Sequence, residues 1–91
     1  MNKNLMMVID NQMNPGKYSK EELRQNATEA NAAYVDDYAV AAAAVDYAAA
    51  DAANAAVYYD AYYAVDYWID IYFKLSGEDR QDYIDEINKE K

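Results

Sequence analysis

An all-α fold is predicted for this chain by its alanine content, its lack of helix breakers and the spacing of its apolar residues. All eighteen alanines lie between Ala27 and Ala64, and no glycine or proline occurs between Ser19 and Gly77. We therefore predict a small helical bundle in which two short terminal helices flank a long central helix or helical hairpin. The predicted helices cover about residues 4–12, 19–52, 56–75 and 78–89 of a single domain, 1–91.

Local signals mark the ends of the predicted helices. The first helix ends at the Asn-Pro-Gly turn of residues 14–16, because this combination is typical of turns. Ser19 and Glu22 have the spacing of a capping box and predict the start of the next helix. Gly77 fits a left-handed helix C-terminus, which separates the third predicted helix from the last.

The central segment changes its hydrophobic phase. At about 100° per residue, small and apolar residues from Leu23 to Ala52 fall in one stripe, whereas the large side chains from Tyr58 to Leu75 lie on the opposite side. We predict a bend or tight connection at residues 51–56, with Asn54 as a cap. A continuous helix with partners on opposite sides is the alternative.

Negative charge is concentrated in the middle of the chain. The net charge is −9, and residues 31–73 contribute −7 of it, because they contain seven aspartates and no basic residue. Such a field repels nucleic acid and anionic lipid and attracts basic surfaces. The composition thus predicts no direct nucleic-acid partner, no membrane partner and a basic protein surface as partner.

The composition also argues against several kinds of chemistry. The chain contains no cysteine and no histidine, so it lacks disulfides, thiol nucleophiles and the commonest general base. The carboxylates are spread around the helices instead of converging, and no phosphate-binding glycine loop is present. We expect no cofactor, no metal site and no enzymatic activity. The apolar run at residues 5–9 is too short for a secretory signal, so a cytoplasmic protein is expected.

Tyrosines and aspartates share one predicted face of the segment 57–72. Tyr59, Tyr63 and Tyr67 follow one another at intervals of four residues, which places them in a row on a helix. In the simpler interpretation, tyrosine rings pack as leucine would and the aspartates maintain solubility. In the other, the face is a recognition surface, because tyrosine offers a large rigid contact area at small entropic cost.

Aspartate holds its charge close to the helix backbone, so a fixed array of aspartates can imitate a row of phosphates. A protein that binds DNA through arginine and lysine would accept such an array as a decoy. We therefore predict a non-enzymatic acidic binding protein that acts by DNA mimicry. The predicted partner-binding residues are Asp36, Asp37, Asp46, Asp51, Tyr59, Asp60, Tyr63, Asp66, Tyr67 and Asp70.

The order of "YSKEELRQNATEA", an Ala/Asp/Tyr tract and "YWIDIYFKLSGEDRQDYIDEINK" resembles small acidic Ala/Asp/Tyr-rich proteins of tailed bacteriophages. The resemblance covers most of the chain. It implies a phage protein that inhibits a host nucleic-acid-binding or defence protein in the host cell cytoplasm. It identifies no target.

Two other functions fit the sequence. Alanine and tyrosine stripes could pair helices from different copies, which would make the protein a self-assembling structural homo-oligomer. The protein could also sequester small signalling nucleotides, with the basic side chains Lys17, Lys20, Arg24 and Arg80 gathered across subunits. The absence of bases in the middle of the chain argues against this second possibility.

Overall fold

The structure is a computed structural model that describes residues 1–35, 40–58 and 62–90. These residues form α1 (Lys3–Met13), α2 (Lys20–Val35), α3 (Val40–Tyr58), α4 (Tyr62–Ser76) and α5 (Arg80–Lys89). No strand occurs in these three ranges, so the predicted all-α class is confirmed. None of the helices in the described part is long and apolar enough to cross a membrane.

Side chains that accept hydrogen bonds from the first backbone amides fix where three helices begin. The Ser19 hydroxyl accepts from the Glu22 amide at 3.1 Å, and the Glu22 carboxylate accepts from the Ser19 amide at 2.9 Å. These two bonds confirm the predicted capping box. Asn2 and Asp79 cap α1 and α5 by accepting from amides of the first turn. Each such cap contributes about 1 kcal/mol.

Glycines stand where the chain leaves α1 and α4. Gly16 and Gly77 have φ angles of 87° and 73°, a region that side chains with a Cβ adopt only with strain. The Gly77 amide donates to the Phe73 carbonyl at 3.2 Å, which closes the last turn of α4. The sequence-based prediction of a left-handed glycine at this position is confirmed.

Helix α3 is the centre of the bundle and packs against α1, α2 and α4. Its alanines 48, 49, 50, 52, 53 and 55 are all at most 3 % exposed. Because consecutive residues point in different directions around a helix, this burial means that α3 is covered on several sides. Alanine carries only a Cβ, so the neighbouring helices can approach closely.

The predicted break at residues 51–56 is wrong, because α3 continues through them. The change of hydrophobic phase reflects the passage from α3 to α4, since α3 ends at Tyr58 and the large side chains of residues 62–75 belong to α4. The predicted helix 19–52 is instead two helices, α2 and α3, which run antiparallel. Their direction follows from the pairing of Asn31 with Asn54 and of Tyr34 with Tyr47.

The larger buried side chains come from the other helices. Alanine buries little area, and burial stabilises by about 25 cal/mol per Å² of apolar surface. Most of the stabilisation from burial therefore comes from the large side chains of α1, α4 and α5. The most deeply buried are Leu5, Val8, Ile9, Ile69, Tyr72, Tyr83 and Ile87.

A buried polar cluster joins the end of α4 to α5. The Tyr72 hydroxyl donates to Glu78 at 2.8 Å, and the Tyr83 hydroxyl donates to the other oxygen of the same carboxylate. Tyr83 also accepts from the Asn2 backbone amide at 2.7 Å. Burial, reinforced by the bond to Glu78, raises the pKa of Tyr83 to about 12. The cluster fixes the start of α5 beside α4, which positions Arg80.

A second polar cluster fixes the turn after α1. The buried Asp10 carboxylate accepts from Lys17 at 2.7 Å, from the Tyr18 hydroxyl at 2.6 Å and from the Asn14 amide at 2.8 Å. Burial alone would raise the pKa of Asp10, but these hydrogen bonds outweigh it and the pKa is lowered. Lys17 is thus engaged within the chain.

Candidate functional site

A cavity of about 680 Å³ lies between α2, α3 and α4. We call it the Asp51 cavity, after its carboxylate. Four of its residues come from one face of α3, since positions 47, 51, 54 and 58 are separated by four, three and four residues. The side chains that give the cavity its chemistry are Asn31, Tyr47, Asp51, Asn54, Tyr58 and Trp68.

Asp51 is the charged residue of this cavity. Its Oδ2 atom is buried and has no hydrogen-bond partner among the residues that the structure describes. Burial raises the pKa of the Asp51 carboxyl, and the interaction with the Tyr47 hydroxyl opposes this shift without cancelling it. A half-buried carboxylate whose one described partner is a neutral hydroxyl is poorly compensated for its lost hydration, so a cation in the cavity would be stabilised beside it.

Aromatic rings form the walls next to Asp51. The Tyr47 and Trp68 rings meet edge to face, with centroids 5.9 Å apart. Tyr58 lies at the rim and is 67 % exposed. The sequence pattern groups Tyr58 with the large side chains of residues 58–75, but α3 already directs its alanines at the neighbouring helices and leaves Tyr58 exposed.

Two amides complete the cavity. Asn31 and Asn54 bond each other reciprocally, at 3.1 Å and 3.2 Å between the amide nitrogens and oxygens. This pair links α2 to α3. Since each amide uses the other, neither offers its full hydrogen-bonding capacity to Asp51. The described part of the cavity therefore combines aromatic rings with one incompletely satisfied carboxylate.

An aromatic row runs from the cavity across the surface of α2, α3 and α4. It consists of Tyr34, Tyr47, Trp68 and Tyr67, and consecutive ring centroids lie 5.2, 5.9 and 5.3 Å apart. Tyr63 and Tyr67 are 80 % and 59 % exposed, so these two rings do not pack into the core of the chain. A shallow apolar groove of about 340 Å³ adjoins the row and ends at Leu75.

Two of the predicted partner-binding aspartates are paired within the chain. Arg80 at the start of α5 lies 3.7 Å from Asp66 and 3.5 Å from Asp70. Gln12 also donates to Asp66, at 3.1 Å. Asp66 and Asp70 are therefore not the free charges that an imitation of a row of phosphates would present. The pairing depends on the tertiary fold, because α5 packs against α1 and its first residue, Arg80, reaches α4 from outside residues 31–73.

The two other predicted aspartates that the structure describes are Asp46 and Asp51. Asp46 lies partly buried on α3 and makes an interaction of its own. Asp51 is directed into the cavity instead of outward. Four more of the predicted residues lie outside the described residues: Asp36, Asp37, Tyr59 and Asp60.

Basic side chains are also engaged by acids of the same chain. Lys17 pairs with Asp10, Arg24 with Glu21 and Arg80 with two aspartates. Each of these three bases thus has an acidic partner in its own chain. Within the described ranges, no group of three acidic side chains is arranged to hold a metal ion.

Comparison with known proteins adds no relative, since no protein-family model, curated protein or solved structure matches the chain. The candidate site therefore has to be interpreted from its own residues. Sequence reasoning missed Asn31, Tyr47, Asn54 and Trp68 as cavity residues. The signal was the spacing of Tyr47, Asp51, Asn54 and Tyr58, which places four polar or aromatic residues on one face of an alanine helix.

Proposed function

We propose that the protein is a non-enzymatic acidic binding protein whose partner is a protein with a basic surface. The observation that carries this proposal is the exposure of Tyr63 and Tyr67 on α4, within a segment that contains seven aspartates and no base. Exposed tyrosines supply contact area at small entropic cost, and the surrounding field attracts cationic groups.

The nucleic-acid site of the partner is the surface that an acidic face would occupy best. The Arg80 contacts with Asp66 and Asp70 are long and partly exposed, and such pairs contribute little stability. An arginine of the partner could replace Arg80 at small cost. The resemblance to phage proteins favours a host protein as the target and inhibition as the outcome.

The proposal is tested by immobilising the protein and capturing partners from a bacterial lysate. We expect a nucleic-acid-binding protein to be retained, released by salt and displaced by duplex DNA. The double variant Asp66→Asn/Asp70→Asn should weaken capture. Asp82→Asn/Asp85→Asn, which removes two exposed charges from α5, is the matched control and should not. Capture that salt, DNA and both double variants leave unchanged would contradict the proposal.

Self-assembly is a second candidate, and a specific observation favours it. Tyr63, Tyr67, Ile71 and Leu75 follow at intervals of four residues on α4, and Leu75 is 52 % exposed. Such a stripe can pair with a copy of itself in a symmetric dimer. Sedimentation at several concentrations separates the two functions. Tyr63→Ala/Tyr67→Ala should dissociate an oligomer but leave a monomeric binder monomeric.

A further inference from the structure

The Asp51 cavity has a chemistry that the proposed function does not use. Its carboxylate is set into an alanine helix, between positions where Ala50 and Ala52 are buried. An alanine at position 51 would avoid the cost of a buried oxygen without a partner. The cavity also stands apart from Asp66 and Asp70, whose carboxylates lie next to Arg80.

We propose that the Asp51 cavity is a binding site for an alkylammonium group. The ammonium would lie beside the part of the Asp51 carboxylate that lines the cavity, since Oδ2 itself is buried, and the rings of Tyr47, Tyr58 and Trp68 would surround its alkyl chain. Cations bind favourably against aromatic rings, and the attraction is stronger where water is displaced. The volume of about 680 Å³ is ample for a group of this size.

The cavity favours an ammonium over a guanidinium. A guanidinium presents a planar fork of five N–H donors and is best matched by a carboxylate with both oxygens available. Here the Tyr47 hydroxyl already interacts with the single carboxylate, and the Asn31 and Asn54 amides bond each other. An ammonium is compact and has three N–H donors instead of five, so fewer of its donors are left without an acceptor beside this carboxylate.

The ammonium could belong to a free amine or to a lysine side chain of a partner. Both sources present the same chemistry, so the site is defined by the alkylammonium itself. The inference does not depend on the proposed function. A free amine would still bind if no basic protein partner exists, and a basic partner could bind elsewhere if the cavity stays empty.

Trp68 is the only tryptophan of the chain and lines the cavity, so its fluorescence and its indole N–H resonance report occupancy directly. The probes are butylammonium, its neutral analogue butanol and butylguanidinium. We expect saturable binding of butylammonium with a Kd on the order of 1 mM, the range open to so small a ligand. Butanol and butylguanidinium should bind at least about tenfold more weakly, a factor that corresponds to about 1.4 kcal/mol.

Asp51→Asn preserves the shape of the side chain and should weaken butylammonium binding at least about tenfold. Asp85→Asn removes the same charge from an exposed position on α5 and should leave the binding unchanged. Circular dichroism of both variants shows whether each is folded. If Asp51→Asn does not fold, Trp68→Phe with NMR detection at the Asn31 and Asn54 amides provides the second variant, and should weaken binding.

A peptide with one lysine and blocked ends, compared with its norleucine analogue, distinguishes the two sources. If the lysine peptide binds through Asp51, the site accepts a protein-borne ammonium. If only butylammonium binds, the site selects a free amine. The proposal is overturned if butylammonium gives no saturable response up to about 100 mM, a hundredfold above the expected Kd. It is also overturned if Asp51→Asn and the wild type bind butylammonium equally.

Discussion

Asp51 occupies a helix whose other nearby positions are almost all alanine. Aspartate forms helices less readily than alanine, by roughly 0.5 kcal/mol, and this one also holds a buried oxygen without a partner. Both effects oppose folding. Residues that reduce stability and yet form part of a cavity are typical of binding sites, where stability and function conflict.

We predict that Asp51→Ala stabilises the protein by about 1 kcal/mol at neutral pH, measured by urea denaturation. Asp85→Ala is the control. It makes the same change at an exposed position of α5, so its effect contains helix propensity and the loss of an exposed hydrogen bond from Gln81, but no burial. A larger gain for Asp51→Ala than for Asp85→Ala is expected. Equal gains would mean that the Asp51 carboxylate is not held away from water.

The effect of Asp51→Ala should depend on pH. Because the pKa of Asp51 is raised in the folded state, the folded protein binds a proton more tightly than the unfolded chain does. The free energy of unfolding contributed by this group therefore falls as pH rises from the unfolded pKa, about 3.9, through the folded pKa. The gain from Asp51→Ala should accordingly be smaller at about pH 3 than at about pH 7.

The sequence does not distinguish Asp51 from the other aspartates of residues 31–73. Spacing places a residue on one face of a helix, but the burial of that face depends on which helices cover it. The sequence also does not show that Asp66 and Asp70 have an ion-pair partner, because the fold brings Arg80 to them. The sequence therefore predicts only one part of the site, the helix face shared by Tyr47, Asp51, Asn54 and Tyr58.

At the scale of the helices, the local signals were reliable and the long-range one was not. The Ser19–Glu22 box and the Gly77 terminator depend on residues close in sequence, and both are present in the structure. The break at residues 51–56 was inferred from a change in hydrophobic phase. That change marks a passage from one helix to the next, but α3 ends at Tyr58 and α4 begins at Tyr62, several residues later than predicted. Alanines on several faces of α3 conceal the boundary, because they fit either phase.

The central position of α3 predicts a difference between two alanines of the same helix. Ala53 is buried, whereas Ala42 is exposed. Leucine at position 53 would have to push apart the neighbouring helices, so Ala53→Leu should destabilise the protein by about 1–3 kcal/mol. Ala42→Leu should change stability by less than about 0.5 kcal/mol. Urea denaturation of both variants measures the difference, and similar stabilities would show that α3 is open to solvent at residues 51–56.

At the scale of the whole molecule, α5 moderates the acidic field of the middle segment. The hydrogen bonds of Glu78 with Tyr72 and of Asp10 with Lys17 are partly buried and link parts of the bundle. Arg80, in contrast, contacts Asp66 and Asp70 at the surface. Arg80 belongs to residues 74–91, whose net charge is −2, and it shields two of the seven aspartates of residues 31–73. The field presented to a partner depends on the fold as well as on composition.

Arg80→Gln should expose these two carboxylates and strengthen binding of a cationic probe. We expect an oligoarginine peptide to bind Arg80→Gln several-fold more tightly than the wild type at low salt, as measured by calorimetry. Lys89→Gln makes the same change in net charge on α5, but Lys89 pairs with Glu86 instead of with Asp66 and Asp70. The affinity of this variant for the peptide should therefore change less. Salt near 1 M shortens the screening length to about 3 Å and should abolish the difference.

Because surface ion pairs contribute at most about 1 kcal/mol, both variants should remain folded. Equal affinities of the two variants at low salt would show that the peptide responds to net charge alone and that no Asp66–Asp70 face is recognised.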